Sequence, residues 1–208
     1  MMSEDLINAM VELEDESVLN IVKKQLESRA PLLILEDLKS ALVKIGDLFE
    51  SEEYFLSDLI IAADTFKEAS KLMEPYFTKK SGDINGKILM GTVEGDMHDI
   101  GKNIIITLLK SEGYEVVDLG IDVSPEKFLE EVNKFKPNIV GLSGLLTSSE
   151  KPMQKTIQLI NNEYKNKIVF IVGGVAVNEQ WIKDTGADYG TTNAITGLKI
   201  INNIIKNI

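Results

Sequence analysis

KILMGTVEGDMHDIGKNIIITLLK, Lys87–Lys110, decides how this chain folds. It opens with the apolar run KILMGTV, breaks into a polar, glycine-bearing loop, and resumes with apolar residues at helical spacing. A continuous apolar run followed by a helix marks a strand buried on both faces, the repeating unit of a parallel sheet. The loop VEGDMHDIGKN, Val93 to Asn103, holds the only histidine among 208 residues, between two aspartates.

The same grammar continues toward the C-terminus. Apolar runs at 114–120, 138–146, 167–174 and 187–192 follow the one at 87–93, and helical patterns near 99–112, 124–136, 149–163, 178–185 and 194–206 lie between them. Five such units predict an α/β fold: a doubly wound, flavodoxin- or Rossmann-like parallel sheet of order 2-1-3-4-5. Ligands of such sheets bind beyond the carboxyl ends of the strands, at the switch point between strands 1 and 3. The His98 loop, SGLLTSSE after strand 3 and GGV after strand 4 should therefore converge.

Upstream the pattern is helical throughout. Leu42, Ile45, Leu48 and Phe49 form one stripe, and Phe55, Leu59, Ala62, Ala63, Phe66, Ala69 and Met73 another. Helices are expected near 4–14, 16–28, 31–50 and 54–75, the third opening on Pro31, whose missing N–H costs nothing in a first turn. They suggest a small antiparallel bundle. The polar segment 78–87 reads as a linker and hinge, giving domains 1–80 and 81–208.

Composition narrows the chemistry. With 22 basic against 33 acidic residues the net charge is −11, which repels a phosphate backbone, so nucleic acid is not an expected partner. No apolar stretch is long enough to cross a membrane, and the start lacks a signal-peptide pattern, so a soluble cytoplasmic protein is expected. Cysteine is absent, which excludes disulfides, thiolate metal sites and cysteine nucleophiles.

A lone loop histidine is more often a surface residue than a ligand. Asp96, two residues from His98, changes the odds, because ligating imidazoles commonly donate their second N–H to a carboxylate. One imidazole cannot build a zinc site by itself, but it suffices for a metal whose other positions a macrocycle fills. Gly95 and Gly101 serve either as turn glycines or as close approaches to a bulky ligand, and Gly173-Gly174 has the same two readings. Ser143, Thr147, Ser148 and Ser149 can bond a ligand or Asp96, or cap the helix beginning near Glu150. A phosphate loop is ruled out because Asn103, not a hydroxyl residue, follows Lys102.

The combination resembles the cobalamin-binding module shared by methionine synthase, corrinoid methyl carriers and several mutases. Its signature is Asp-x-His-x-x-Gly, followed at set intervals by Ser-x-Leu and Gly-Gly. Here Asp96-Met97-His98-Asp99-Ile100-Gly101 is followed after 41 residues by Ser143-Gly144-Leu145 and after a further 27 by Gly173-Gly174. The resemblance implies a cobalamin or related corrinoid bound base-off, with His98 as the lower ligand of cobalt. Asp96 and Ser149 would continue a proton-holding chain from His98, Ser143 and Leu145 would line the pocket of the nucleotide tail, and Gly173 and Gly174 would admit its ribose-phosphate end. Gly95, Met97, Asp99, Ile100, Gly101 and Thr147 belong to the same loops, and Tyr189, Thr191 and Asn193 lie in a C-terminal loop similar in kind to the family's tail contacts.

The helical half resembles the cap of methionine synthase and of small methyl-carrier proteins, where it covers the upper face of the corrin; Tyr54 through Ala63 occupies the corresponding region. The implied function is that of a corrinoid protein, not an enzyme alone. It would take a methyl group from a substrate-specific methyltransferase and pass it to a second methyltransferase using tetrahydrofolate or a thiol, with a corrinoid reductive activator as a further partner. The alternatives are the corrinoid subunit of an adenosylcobalamin-dependent mutase, which usually lacks the cap, and a cobalamin sensor, which normally adds a DNA-binding domain.

Overall fold

The computed structural model describes residues 3–76, 85–165 and 167–207. The chain divides into two units, Met1–Thr78 and Lys79–Ile208. Of the linker and hinge expected at 78–87, residues 78–84 lie outside the described residues.

Among its described residues the first unit holds four α-helices, α1 (Glu4–Val11), α2 (Asp15–Gln25), α3 (Pro31–Glu50) and α4 (Leu56–Met73), the last followed by a 3₁₀ turn at Glu74–Tyr76. Leu13 and Glu52 take left-handed backbone conformations, which an α-helix cannot continue through; this is why α1 stops short of residue 14 and a break separates α3 from α4. Leu6, Met10, Val18, Val22, Ile34, Leu38, Ala41, Ile45, Phe66, Ala69 and Met73 form the core. Asp37 is buried among them; it accepts hydrogen bonds from the Arg29 guanidinium and, at 2.9 Å, from the Ser3 backbone N–H.

The stripe expected on α3 is displaced. Ile34, Leu38, Ala41 and Ile45 face inward, whereas Phe49 is exposed, because the buried face follows the earlier turns, which pack against α1. Phe55 is likewise outside the core, 70% exposed. It precedes α4, and its N–H bonds the Asp58 side chain at 2.7 Å. Leu56, Ile60 and Ile61 extend this exposed apolar surface along the start of α4.

The second unit is a five-stranded parallel sheet of order β2-β1-β3-β4-β5: β1 (Lys87–Thr92), β2 (Glu115–Asp118), β3 (Ile139–Ser143), β4 (Val169–Gly173) and β5 (Tyr189–Thr191). Helices α5 (Ile100–Ser111), α6 (Pro125–Phe135), α7 (Glu150–Tyr164), α8 (Glu179–Thr185) and α9 (Ala194–Lys206) connect and follow the strands. Successive side chains of a strand point to opposite faces. Leu89, Val140, Leu142, Phe170 and Val172 accordingly join Phe128, Val132, Ile157 and Trp181 in one core. Ile88, Met90, Ile139 and Ile171 join Ile105, Leu109, Ile201 and Ile204 in the other. Full burial of a side chain such as Phe128 stabilises the fold by roughly 2–3 kcal/mol relative to exposure.

Caps set the helix starts on the site side of the sheet. Ser124 caps α6 ahead of Pro125, Asn178 caps α8, and Asn193 caps α9 with its Oδ1 accepting from Ile195 and Thr196. Among the described residues, no helix is long and apolar enough to cross a membrane.

Candidate functional site

The parallel register brings the candidate residues into one row. Thr92 of β1 pairs with Ser143 of β3, Ser143 with Gly173 of β4, and Gly173 with Thr191 of β5. At about 4.8 Å between strands, four neighbouring strands span about 14 Å. By strand alternation this row shares a face with Ile88, Met90, Ile139 and Ile171, the face covered by α5 and α9.

Above the row lies the β1–α5 loop. Asp96 is fully buried, and its two carboxylate oxygens divide their work. Oδ1 faces Nδ1 of His98 at 2.6 Å and accepts the His98 backbone N–H at 3.1 Å. Oδ2 accepts the backbone N–H groups of Leu145 at 2.7 Å and Leu146 at 3.1 Å, and the Ser149 hydroxyl at 2.6 Å. One carboxylate thus ties the loop after β1 to the loop after β3. Burial opposes ionisation of Asp96, but the hydrogen bonds from Ser149, the His98 side chain and backbone, and Leu146 outweigh it and hold the carboxyl well below the usual carboxylate range. Ionised, Asp96 only accepts, so Nδ1 of His98 carries the proton; in the neutral imidazole Nε2 then bears the lone pair.

The His98 side chain is 51% exposed. Around the same edge stand apolar side chains that water solvates poorly: Met97, Ile121, Leu145, Leu146 and Val175, the last 74% exposed. Gly95 takes a left-handed conformation, φ +80°, and a Cβ there would meet no atom within 4 Å. Gly174, φ +147°, lies so close to the Gly144 carbonyl that any Cβ would collide with it, which fixes the loop after β4 against that after β3. The donor set fits a corrinoid. Among the described residues, no three histidine or carboxylate side chains are grouped to hold a metal themselves, whereas a single oriented imidazole amid apolar surface suits a metal already ringed by a macrocycle.

Several residues around the site also bear structural duties. Ser149 stands at the N-cap position of α7 but makes no capping bond; its hydroxyl is spent on Asp96, so the serine cap expected for this helix is not formed there. Thr147 and Ser148 are exposed, and residues 147–149 form a single 3₁₀ turn leading into α7. Thr191 bonds both backbone polar groups of Asn193, and the Asn193 side chain caps α9. Asp188, itself exposed, accepts the Phe170 N–H at 2.8 Å and so fastens the start of β5 to β4. Tyr189 is exposed on the edge strand.

The loop after β2 was absent from the expected site. Asp122 accepts the Gly95 N–H at 2.7 Å and donates its own N–H to the Asp96 carbonyl at 3.1 Å. Asp118, ending β2, accepts the buried Lys102 ammonium on both oxygens, at 2.8 and 2.7 Å, and the Gly120 N–H. The signal was legible: LGIDVSP, Leu119–Pro125, is a glycine and aspartate turn before a capped helix. The backbone donors Leu145 and Leu146 left no such signal, because any residue supplies an N–H.

Comparison with known proteins follows the same lines. A family model described as B12 binding domain matches residues 86–197, and a second model of that description matches residues 2–74. Dimethylamine corrinoid protein 1 of Methanosarcina mazei is 34% identical over 198 residues, covering 92% of this chain and 90% of the relative. The monomethylamine corrinoid protein of Methanosarcina barkeri superposes with a TM-score of 0.88 at 28% identity, covering 94% of each chain. A chain of the methanol:cobalamin methyltransferase complex of Methanosarcina barkeri matches with a TM-score of 0.56 at 29% identity, over 98% of this chain and 79% of that one.

Proposed function

This chain belongs to the family of B12-binding corrinoid proteins, and on that premise we propose that it carries a methyl group on a cobalamin or related corrinoid between a substrate-specific methyltransferase and a second methyltransferase with a tetrahydrofolate or thiol acceptor. The bound corrinoid supplies the chemistry, its cobalt accepting and releasing the methyl group. The protein supplies ligation, orientation and protection.

The observation that carries this reading is the Asp96 carboxylate with its five donors. It holds the proton on Nδ1 of His98 and presents Nε2 as the ligating atom, the arrangement a base-off, His-on corrinoid requires. A proton taken up by the His98–Asp96–Ser149 chain on Nε2 of His98 would remove the lone pair that ligation needs. Ligation and proton uptake at this nitrogen therefore exclude each other. Gly95, Met97, Asp99, Ile100 and Gly101 would hold the corrin side of the cofactor, and Ser143, Leu145, Gly173 and Gly174 its tail. The relatives are named for different donors, dimethylamine, monomethylamine and methanol, so donor choice is assigned to the partner methyltransferase. A reductive activator is the third expected partner.

The test is titration of the apo protein with hydroxocobalamin and methylcobalamin, beside His98→Ala, with electron paramagnetic resonance of the reduced cobalt(II) form. The expected result is a base-off spectrum with hyperfine coupling to one protein nitrogen, lost in the variant. Unaltered affinity, spectrum and potential in His98→Ala would sink the ligand assignment.

A further inference from the structure

We propose that Asp122, in the loop between β2 and α6, is a positioning residue that fixes the Asp96–His98 pair; its importance to corrinoid binding rests on the function proposed above. Asp122 grips the β1–α5 loop at two points, its Oδ1 accepting the Gly95 N–H at 2.7 Å and its N–H donating to the Asp96 carbonyl at 3.1 Å. These contacts bracket the residue whose carboxylate orients His98. Both conformations needed are left-handed, φ +80° at Gly95 and φ +53° at Asp122, which glycine and aspartate tolerate better than most residues.

The loop that carries Asp122 is itself anchored. Asp118 holds Lys102 in the first turn of α5, and Thr92 donates its N–H to the Gly120 carbonyl at 2.9 Å and accepts the Val123 N–H on its own carbonyl at 3.0 Å. Val93 and Val123 form a parallel bridge that prolongs the pairing past the ends of β1 and β2. The Thr92 hydroxyl reaches forward to the His98 carbonyl at 3.0 Å. The histidine loop is thus held at Gly95 on one side and at Lys102 on the other by a single neighbouring loop. At its entry point the side-chain contact on Gly95 is that of Asp122, beside the backbone bonds from Val93 to Ser143 and from Asp122 to Asp96. Without that oxygen Asp96 keeps its donors on the β3 side but loses one of the restraints on the backbone from which it projects.

Two variants separate the hydrogen bond from charge and backbone strain. Asp122→Gly keeps the left-handed backbone and the N–H to Asp96 but deletes the side-chain acceptor; Asp122→Asn keeps the acceptor and removes the charge. His98 is the only histidine, so its ring nitrogens give an unambiguous ¹⁵N spectrum in the apo protein. The wild type and Asp122→Asn should show the Nδ1–H tautomer. Asp122→Gly should show ring shifts averaged toward both tautomers, altered Leu145 and Leu146 amide shifts, and an affinity for hydroxocobalamin weaker by about 10-fold, the lower end for partners of a metal ligand. Hydrogen exchange of the Gly95 amide in the unmodified chain is a check independent of any variant: protection is expected. Wild-type ring shifts and affinity in Asp122→Gly, equal loss in Asp122→Asn, or a Gly95 amide exchanging at the free-peptide rate would each overturn the proposal. Should the wild type bind no cobalamin while Asp122→Gly still disturbs the ring shifts, the positioning role stands and the corrinoid function falls.

Discussion

Asp37 in the helical unit and Asp96 in the α/β unit are both buried carboxylates fed by several donors, yet they do opposite things. Asp37 pairs with Arg29 and the Ser3 N–H, and the Gln25 side chain bridges the same cluster, bonding Ser3 and Arg29. Its partners come from three consecutive stretches of one helical unit, and the cluster ties them together. Asp96 takes three of its five donors from a loop about 50 residues away, which unites two loops far apart in sequence, and the other two from His98, its backbone N–H and its half-exposed imidazole. Burial and hydrogen bonding of a carboxylate do not by themselves mark a site. The mark is a partner that faces outward with a reactive atom still available.

This contrast orders the expected effects of mutation. Asp37→Ala should be the most damaging to stability, by about 3 kcal/mol, because it removes the carboxylate that a largely buried guanidinium and the Ser3 N–H share. Urea denaturation measures the loss, and unchanged His98 ring shifts in the same variant would confirm that the cluster is structural; a disturbed ring would break the comparison. Asp96→Ala should cost about 2 kcal/mol, since the buried Ser149 hydroxyl and two loop N–H groups lose their acceptor. Unlike the first variant, it should also abolish the single His98 tautomer seen by ¹⁵N resonance.

A pH series sharpens the same point. The Asp96 carboxyl is held well below its unfolded value of about 3.9, so its contribution to stability is complete at neutral pH and is lost as pH falls through the native value. The stability advantage of wild type over Asp96→Asn, read from urea midpoints, should be constant above about pH 5 and shrink below about pH 4. A gap independent of pH would mean that the carboxylate charge does not matter there. His98→Ala should be the mildest for the fold, within about 0.5 kcal/mol of wild type by thermal denaturation, because its side chain is half exposed. It should nonetheless eliminate the nitrogen coupling of bound cobalt(II). A large stability loss would recast His98 as part of the packing.

The α/β unit was legible element by element because its signals are local and strong, although the strands are shorter than the apolar runs, β3 covering Ile139–Ser143 of the expected 138–146. A helix over 194–206 is both expected and observed, and the strand expected at 87–93 ends one residue earlier, at Thr92. The helical unit was less legible. Pro31 and Glu50 bound α3 as expected, but periodicity alone placed Phe49 and Phe55 in the core, and both are exposed. A helix with apolar residues on more than one face does not reveal which stripe its neighbours cover. At the site, Asp96 and His98 stood out by their spacing, whereas Ser149 was singled out among four hydroxyl residues only by the family resemblance. Asp122 was missed although the expected strand order already set β2 beside β1, because only the loops after strands 1, 3 and 4 were expected to converge.

By itself the sequence determined the strand and helix alternation, the single imidazole, and the intervals that set Ser143 and Gly173 at strand ends and Asp96 in the loop beyond one. These follow from residue type and distance along the chain. Only the tertiary structure decided that Asp96 takes its donors from Leu145, Leu146 and Ser149, that Asp122 clips Gly95, and that Asp96 faces Nδ1 rather than Nε2 of His98. Hydrogen bonds between segments about 50 residues apart form when a parallel sheet brings its strand ends together, and backbone donors carry no mark in the sequence.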